Sequence, residues 1–593
     1  MNVTRTFDLL ERYRTNFSKP DALVSKKEGD WVKVSSQEYF DHSHYVAYGL
    51  LAKGFKKGDK VATISTNCPE WNIVDMGLAM AGIVHVPIFN TLNADEYAYI
   101  FDHAEIKAVF VSDFCTYEMI EPAVKQVKNV EFIYSFNKGS DAADWLEIIE
   151  LGKQNESKFK QELEDIKDSI KPNDFATLIY TSGTTGKAKG VMLSHNNMVQ
   201  NFLAASAIFN LKDDERYLSI LPLCHVGGRL GNYQTQYSGT SIYYAENMGS
   251  IAKNMKEIQA AGFDAVPRIL EKIFDTIVGK GKNLKGMKKK IFFWAVKTGL
   301  NYRISGFGLP FYKLKLKIAD KLVFSKWREA IGGKVRLVGC GGASLQARIE
   351  RVFWASGIKI LNMYGLTETS PIITINRTHK PHLKLGSIGS VIDGVDVKIA
   401  DDGEILCKGH NVMLGYYKDP EMTKSVFDQD GWFCTGDIGY LEKDNFLYVT
   451  DRKKEIFKLS NGKFVSPQLI EGKIKESLFV DQVMVVGEHE KFASALISPD
   501  FNFITNWCKE QNIEFSTRDE IVKQPQLLEI LNSEMKQLNA SLNGPEKILR
   551  FRLVTDEWTP NSGELSPTLK LKRKIISDKY QETISEIYVK QSI

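Results

Sequence analysis

The chain has 593 residues; at about 150 residues per domain that length calls for several structural units rather than one. Hydrophobic residues make up 43% and charged residues 25%, the balance of an ordinary globular protein, which excludes a disordered polymer or a collagen-like repeat. The 77 Lys+Arg against 73 Asp+Glu leave a formal charge of +4, too small a surplus to argue for a global nucleic-acid binder, so any basic function must come from a local patch.

From the N-terminus, Arg5, Asp8, Glu11, Arg12 and Arg14 interrupt the first twenty residues and leave no apolar core for a cleaved signal peptide. No uninterrupted apolar run reaches the roughly 18 residues of a membrane span. Lys60–Ser65 reads as a strand, Trp71–Ala81 as a helix with Trp71, Val74 and Leu78 on one face, and Gly82–Ile88 as a second strand. A helix and the strand Ala108–Val111 follow, and this alternation predicts a parallel sheet covered by helices. Past residue 385 the texture changes to short strands, Val395–Ile399, Gly403–Cys407 and Phe446–Thr450, separated by Asp-Gly or Asp-Asn signals. They predict a small antiparallel barrel or sheet. After Asp451-Arg452-Lys453-Lys454 the chain becomes lysine-rich with mixed elements, and a domain boundary is placed between 451 and 452. The cysteines Cys68, Cys115, Cys224, Cys340, Cys407, Cys434 and Cys508 are scattered, with no two at metal-ligand spacing. Reduced thiols in a cytoplasmic protein are expected, with no disulfide framework and no zinc site.

The most informative stretch runs from Ala176 to Ser194. An apolar strand enters a loop of Thr181, Ser182, Gly183, Thr184, Thr185, Gly186 and Lys187, and a second strand leaves it. Glycines let backbone N–H groups approach an anion, hydroxyls add donors and the lysine adds charge, so the loop reads as a phosphate cradle rather than a surface turn. It is not a P-loop: that motif needs Gly where Thr181 stands, Ser or Thr where Ala188 stands, and a following helix. Gly339-Cys340-Gly341-Gly342, after the strand Val335–Val338, lacks the third glycine of a dinucleotide fingerprint, since position 344 is Ser.

Tyr180–Gly190 resembles the signature of the AMP-forming acyl-adenylate superfamily. Further segments match in the same order: Gly341-Gly342-Ala343-Ser344-Leu345, Tyr364-Gly365-Leu366-Thr367-Glu368-Thr369, Gly431–Asp437, the hinge Asp451–Lys454, and Leu565–Arg573. Val266-Pro267-Arg268 with the basic-aromatic insertion behind it, Ala319–Phe324, and Ser566–Arg573 are most similar to the long-chain fatty acid–CoA ligases. The resemblance implies an α/β fold. A large N-terminal domain (1–451) of two α/β subdomains plus a small β-barrel would carry the nucleotide and acyl sites, and a smaller mobile α+β domain (452–593) would act as a lid. It implies a reaction in two halves, in which a carboxylate attacks the α-phosphate of ATP to give acyl-AMP and pyrophosphate, and the thiolate of coenzyme A then displaces AMP. Electrostatic preorganisation and alignment should dominate such chemistry.

By the same resemblance, Thr181–Lys187 would wrap the β- and γ-phosphates. Glu368 would hold Mg²⁺ together with phosphate oxygens, as one carboxylate commonly does for this ion, and Thr367 would donate to the α-phosphate. Tyr364 would stack on adenine, which the Gly341-Gly342-Ala343 backbone would flank closely, with Gly365 also in the nucleotide site and Asn362 at the adenine edge. Asp437 would accept the ribose hydroxyls, with Arg452 beside it. Lys570 would bridge the incoming carboxylate and the α-phosphate, delivered by rotation about the hinge residue Lys454. His225 matches the position near the carboxylate, with a buried hydrogen-bonded histidine as the competing reading. The sequence departs from its relatives at Gly227-Gly228-Arg229, where long-chain ligases usually place an aromatic residue and a glutamate before the arginine; this could widen or reshape the acyl tunnel.

Lys280, Lys282, Lys285, Lys288, Lys289 and Lys290 precede Ile291–Val296, and Tyr312–Lys317 lies beyond them. Such a pattern suits either peripheral contact with an anionic membrane at its inner face or a helical arm packed on its own domain. Two further readings stay open: an enzyme that loads a carrier protein's phosphopantetheine arm, and a non-catalytic lipid-binding relative. The expected partners are fatty acid, ATP and coenzyme A, with no nucleic acid; monomer and homodimer are both open.

Overall fold

The computed structural model describes residues 2–139, 141–181, 187–304, 310–443, 445–566 and 569–589. The chain divides into two compact units, one of residues 1–397 with 407–434, the other of 398–406 with 435–593.

The first unit contains two large sheets. One has eight strands in the order Gly415–Tyr416, Lys189–Ser194, Phe175–Thr181, Val84–Ile88, Lys60–Ile64, Ile106–Val111, Phe132–Ser135, Ala143–Asp144. Its central members pair in parallel, as the alternating pattern predicts. Val84–Ile88 is buried at every residue, because helices cover both faces of a parallel sheet. The expected helix after Lys60–Ile64 begins at Pro69, where the fixed φ of proline suits the first helical turn, and runs to Met80. The other sheet has nine strands in the order Ser390–Val391, Ile372–Ile375, Lys359–Gly365, Leu337–Cys340, Gly262–Ala265, Arg216–Ser219, Ser241–Tyr244, Leu23–Lys27, Asp30–Val34. The strand expected at Val335–Val338 thus lies two residues later. Gly262–Ala265, Leu337–Cys340 and the first part of Lys359–Gly365 are parallel neighbours. Their carboxyl ends therefore open toward the same side, where ligands of open α/β sheets bind.

The short strands past residue 385 form a four-stranded sheet in the order Val395–Ile399, Glu404–Gly409, Phe433–Leu441, Leu447–Arg452. The second unit is built on a three-stranded sheet of Val480–Val486, Ala493–Pro499 and Ile548–Leu553. Pro467–Ile474, Phe501–Glu510 and Pro525–Asn539 contribute Ile470, Ile504, Leu527 and Leu531 to its core.

The aromatic run after the basic stretch packs inward. In the helix Gly286–Leu300, Phe292, Ala295 and Val296 are buried, and the Phe292 ring lies 6.1 Å from Trp327. Lys285, Lys288, Lys289 and Lys290 stay exposed. The packed-arm reading holds for Ile291–Val296. The next helix, Pro310–Ala319, differs: Phe311 is 72% exposed and Leu314 54%.

Candidate active site

In the first unit, the strand Phe175–Thr181 enters the predicted phosphate loop and Lys189–Ser194 returns antiparallel to it, with Thr181 opposite Lys189 and Tyr180 opposite Gly190. Ser182, Gly183, Thr184, Thr185 and Gly186 lie outside the described residues. Both rims of the loop are pinned. The Tyr180 hydroxyl is 2.7 Å from His103 Nδ1, and the Tyr99 hydroxyl donates to the Ala188 carbonyl at 3.1 Å. Lys187 Nζ stands 5.7 Å from the centre of the Tyr99 ring, within cation–π range.

The threonine–glutamate motif meets this hairpin through a residue that the sequence reading passed over. Gly415–Tyr416 pairs with the return strand at Met192 and Val191, and the Tyr416 hydroxyl donates to Glu368 Oε1 at 2.9 Å. Lys189 Nζ lies 5.4 Å from the same tyrosine ring, and the Glu368 carbonyl accepts from Met413 N at 2.9 Å. Burial, then the Glu368 charge, push the Tyr416 hydroxyl far above its ordinary range, so it stays a donor at neutral pH. Thr367 and Glu368 are half-buried, in a short 3-10 turn that follows the strand Lys359–Gly365. Gly365 is dictated by packing: a Cβ there would run into the Pro371 carbonyl. Asn201 holds the chain just beyond by exchanging two hydrogen bonds with the Ile372 backbone, at 2.9 and 3.1 Å.

Gly341, Gly342 and Ala343 leave the carboxyl end of Leu337–Cys340, and Gly341 N donates to the Ala265 carbonyl at 3.3 Å. Cys340 is in register with Asn362, which is buried and whose carbonyl accepts from Asn376 N at 2.8 Å. Tyr364, half-buried, is in register with Thr374. Gly341–Ala343, Asn362 and Tyr364 thus come from neighbouring strands of one sheet. Glu368 presents a single anchored carboxylate. Among the described residues no group of three or more His, Cys, Asp or Glu could hold a metal, so a cation here would need oxygens from a ligand, as Mg²⁺ takes from phosphates.

His225 caps the helix Val226–Tyr237. Its Nδ1 accepts from Gly227 N at 3.1 Å, so the neutral ring carries its proton on Nε2. At the departure Gly227-Gly228 the packing is close: a Cβ at Gly228 would run into the carbonyls of Pro222 and Leu221. The turn before the helix has closed onto the space a side chain would fill. Arg229, the third residue of the departure, is buried, with its guanidinium directed into the core.

In the second unit, Asp437 is buried and cross-strand from Arg452, with Nε to Oδ1 at 3.1 Å. The backbone beside it is fixed by Gly436 N donating to Glu404 Oε1 at 2.8 Å and by Lys453 paired to Asp402 and Glu404, both at 2.6 Å. Lys454 is exposed. Lys570 is exposed on a tight hairpin: Ser566 N donates to the Lys570 carbonyl at 2.8 Å, Lys570 N donates back to Ser566 Oγ at 3.0 Å, and Leu565 bridges Leu571. Pro567 and Thr568 lie outside the described residues. Three residues on, Arg573 donates from Nε to Glu455 at 2.8 Å and from Nη1 and Nη2 to Glu471, both at 2.7 Å. The hairpin is thereby tied to the segment that follows Lys454. Burial, together with the Glu455 and Glu471 charges, raises the nearby Asp451 carboxyl to about 7.

The family profile of AMP-binding enzymes matches residues 10–417, and that of the AMP-binding enzyme C-terminal domain matches 454–592. The long-chain-fatty-acid–CoA ligase FadD15 of Mycobacterium bovis is 32% identical over 587 residues, spanning 96% of this chain and 95% of the relative. The peroxisomal long chain acyl-CoA synthetase 7 of Arabidopsis thaliana is 29% identical, spanning 94% and 82%. Among solved structures, the adenylation domain of the carboxylate reductase from Mycobacterium chelonae superposes with a TM-score of 0.73 at 20% identity, over 98% of this chain and 91% of that one. An anthranilate CoA ligase in complex with anthranoyl-AMP superposes at 0.71 with 17% identity, over 98% of each. At those identities the likeness is one of fold.

Proposed function

The chain belongs to the AMP-binding enzyme family, and from that premise we propose the reading that its site supports best. It is an AMP-forming long-chain fatty acid–CoA ligase: it activates a fatty acid with ATP as acyl-AMP, releases pyrophosphate, and transfers the acyl group to coenzyme A. Likeness to long-chain ligases over nearly the full chain disfavours both the carrier-protein loader and the non-catalytic relative.

The observation that supports the residue assignment is that Tyr416, paired with the return strand Lys189–Ser194, anchors the Glu368 carboxylate. In this reading Thr181 and Lys187 receive the β- and γ-phosphates, and Thr367 donates to the α-phosphate. Gly341, Gly342, Ala343, Asn362 and Tyr364 form the adenine site, and His225 stands at the acyl carboxylate with its Nε2–H as donor. Glu368 and the phosphates hold Mg²⁺, which when bound offsets phosphate charge. Asp437 and Arg452 take the ribose, and rotation at Lys454 brings Lys570 to the two reacting anions for the first half-reaction. Acid-dependent ATP–pyrophosphate exchange with a panel of acids, followed by thioester assays with coenzyme A and with a carrier protein, tests this. Exchange with long-chain acids and thioester on coenzyme A are expected; acyl transfer to the carrier alone would overturn it.

No helix among the described residues is long and apolar enough to cross a membrane. Peripheral contact is the finer proposal, and the helix face supports it. Phe311, Leu314, Ile318 and Leu322 recur at helical spacing and are all exposed, flanked by exposed Lys313, Lys317 and Lys321. An apolar stripe with basic flanks suits an anionic bilayer surface. Co-sedimentation with anionic liposomes at low salt is expected, lost in a Phe311→Asp/Leu314→Asp double variant; equal sedimentation of both proteins would remove the idea.

A further inference from the structure

Helix Val226–Tyr237 hides a polar face. Arg229, Asn232, Tyr233 and Gln236 fall at i, i+3, i+4 and i+7, and all are buried. They meet the helix Pro69–Met80, a crossover of the eight-stranded sheet, whereas Val226–Tyr237 is a crossover of the nine-stranded one. Asn72 is the hub of the neutral part. It donates to the Tyr244 hydroxyl at 2.6 Å and accepts from Asn232 and Gln236.

Arg229 is the hub of the charged part. Its Nη2 donates to Asp75 Oδ1 at 2.5 Å, its Nη1 to Thr177 Oγ1 at 2.7 Å and its Nε to the Tyr233 hydroxyl at 2.9 Å. Asp75 also accepts from Tyr233 at 2.6 Å and from His85 Nδ1 at 2.7 Å, while His85 Nε2 faces the Thr63 hydroxyl at 2.8 Å. Burial would lift the Asp75 carboxyl, but the Arg229 charge and the His85 and Tyr233 hydrogen bonds hold it below the ordinary range. Burial keeps His85 neutral. The cluster therefore balances one cation against one anion.

Its two ends are placed for chemistry. Arg229 lies one turn after His225, and its backbone N donates to the His225 carbonyl at 3.1 Å. Thr177 lies on the strand Phe175–Thr181, and being four residues before Thr181 it shares that residue's face. We infer that Arg229 is a positioning residue for adenylation: its guanidinium locks the helix that carries His225 to the strand that leads into the phosphate loop, setting the reach between acyl carboxylate and α-phosphate. This rests on the ligase reading above. Misplacing reacting groups by about 1 Å can cost about 10²-fold in rate, and a planar fork with three partners is a device that lysine does not reproduce.

The test uses the full-length protein with Arg229→Lys and with the charge-neutral pair Asp75→Asn/Arg229→Met. The double variant is included because removing the cation alone strands a buried carboxylate and destabilises the fold whatever Arg229 does for catalysis. Arg229→Lys is expected to slow acid-dependent ATP–pyrophosphate exchange about 10- to 100-fold in kcat, with KM for ATP within about threefold. The double variant is expected to keep the native denaturation midpoint yet retain that exchange defect, and to show faster hydrogen exchange confined to residues 226–237. Native-like exchange kinetics in a double variant of native stability would overturn the inference. If the unmutated protein shows no acid-dependent exchange, the ligase reading falls instead. Hydrogen exchange then decides this one: faster exchange at 226–237 in the stable double variant supports the lock, and unchanged exchange overturns it.

Discussion

Two arginines, one in each unit, hold functional segments in place by opposite charge arithmetic. Arg229 faces one carboxylate, Asp75, with neutral donors and acceptors around both. Arg573 faces two, Glu455 and Glu471, with Asp451 close enough to feel both of those charges. The first cluster is complete when each group holds its ordinary neutral-pH charge. The second has more acid than base, and burial, with the Glu455 and Glu471 charges added to it, makes Asp451 keep its proton until about pH 7. A balanced buried pair leaves stability indifferent to pH near neutrality, whereas an acid-rich one ties stability to protonation.

The comparison breaks at its largest point if the segment behind Arg573 does not do chemistry. Lys570→Ala is expected to slow adenylation by ~10²–10³, the size of losing one key charge donor, and to spare thioester formation from supplied acyl-AMP. Equal loss in both half-reactions, measured by pyrophosphate release and by thioester yield, would count against its role. Next is Glu368→Gln, expected to lower exchange by about 10²-fold and to shift the Mg²⁺ dependence to higher concentration. A shift absent from the Mg²⁺ titration would move the cation site elsewhere. Arg573→Ala should destabilise by roughly 2–4 kcal/mol, because it leaves Glu471 buried without its cation; urea denaturation checks this, and an unchanged midpoint would make the clamp ornamental.

The smallest effect is the sharpest test of the charge arithmetic. The folded Asp451 carboxyl titrates near 7, above its ordinary 3.8, so the fold binds the proton more tightly than the unfolded chain. Its stabilising contribution is complete below about pH 4 and is lost as pH rises through about 7. Asp451→Asn should flatten the denaturation midpoint between pH 5 and 8. The charge-neutral pair Asp75→Asn/Arg229→Met should leave the slope of the unmutated protein as it was, because with Arg229 beside it the Asp75 carboxyl is held below the ordinary range and titrates only in more acid solution.

The alternation at Lys60–Val111 predicts the parallel pairing because burial on both faces leaves an unbroken apolar run, a signal carried by neighbours in sequence. The motif residues around Glu368 are legible because each motif is local. Tyr416 is not, since only the pairing of Gly415–Tyr416 with Lys189–Ser194 brings its hydroxyl to Glu368. The polar stripe Arg229, Asn232, Tyr233, Gln236 is periodic and could have been found. It reads as a solvated face unless the distant Asn72 and Asp75 are known to meet it. The basic insertion leaves two readings open for the same reason. Its aromatics Phe292 and Trp294 are drawn inward by packing, and exposure moves to Phe311 and Leu314 further along.

The Arg229–Asp75 pair closes a gap of 154 residues along the chain. On a ribosome adding about 5–20 residues per second, that gap is roughly 8–30 seconds during which the acidic helix exists and its guanidinium does not. Until translation delivers that counter-charge, burying Asp75 as a carboxylate carries the cost of an anion without its cation, so the first unit gains its charged cluster late in synthesis.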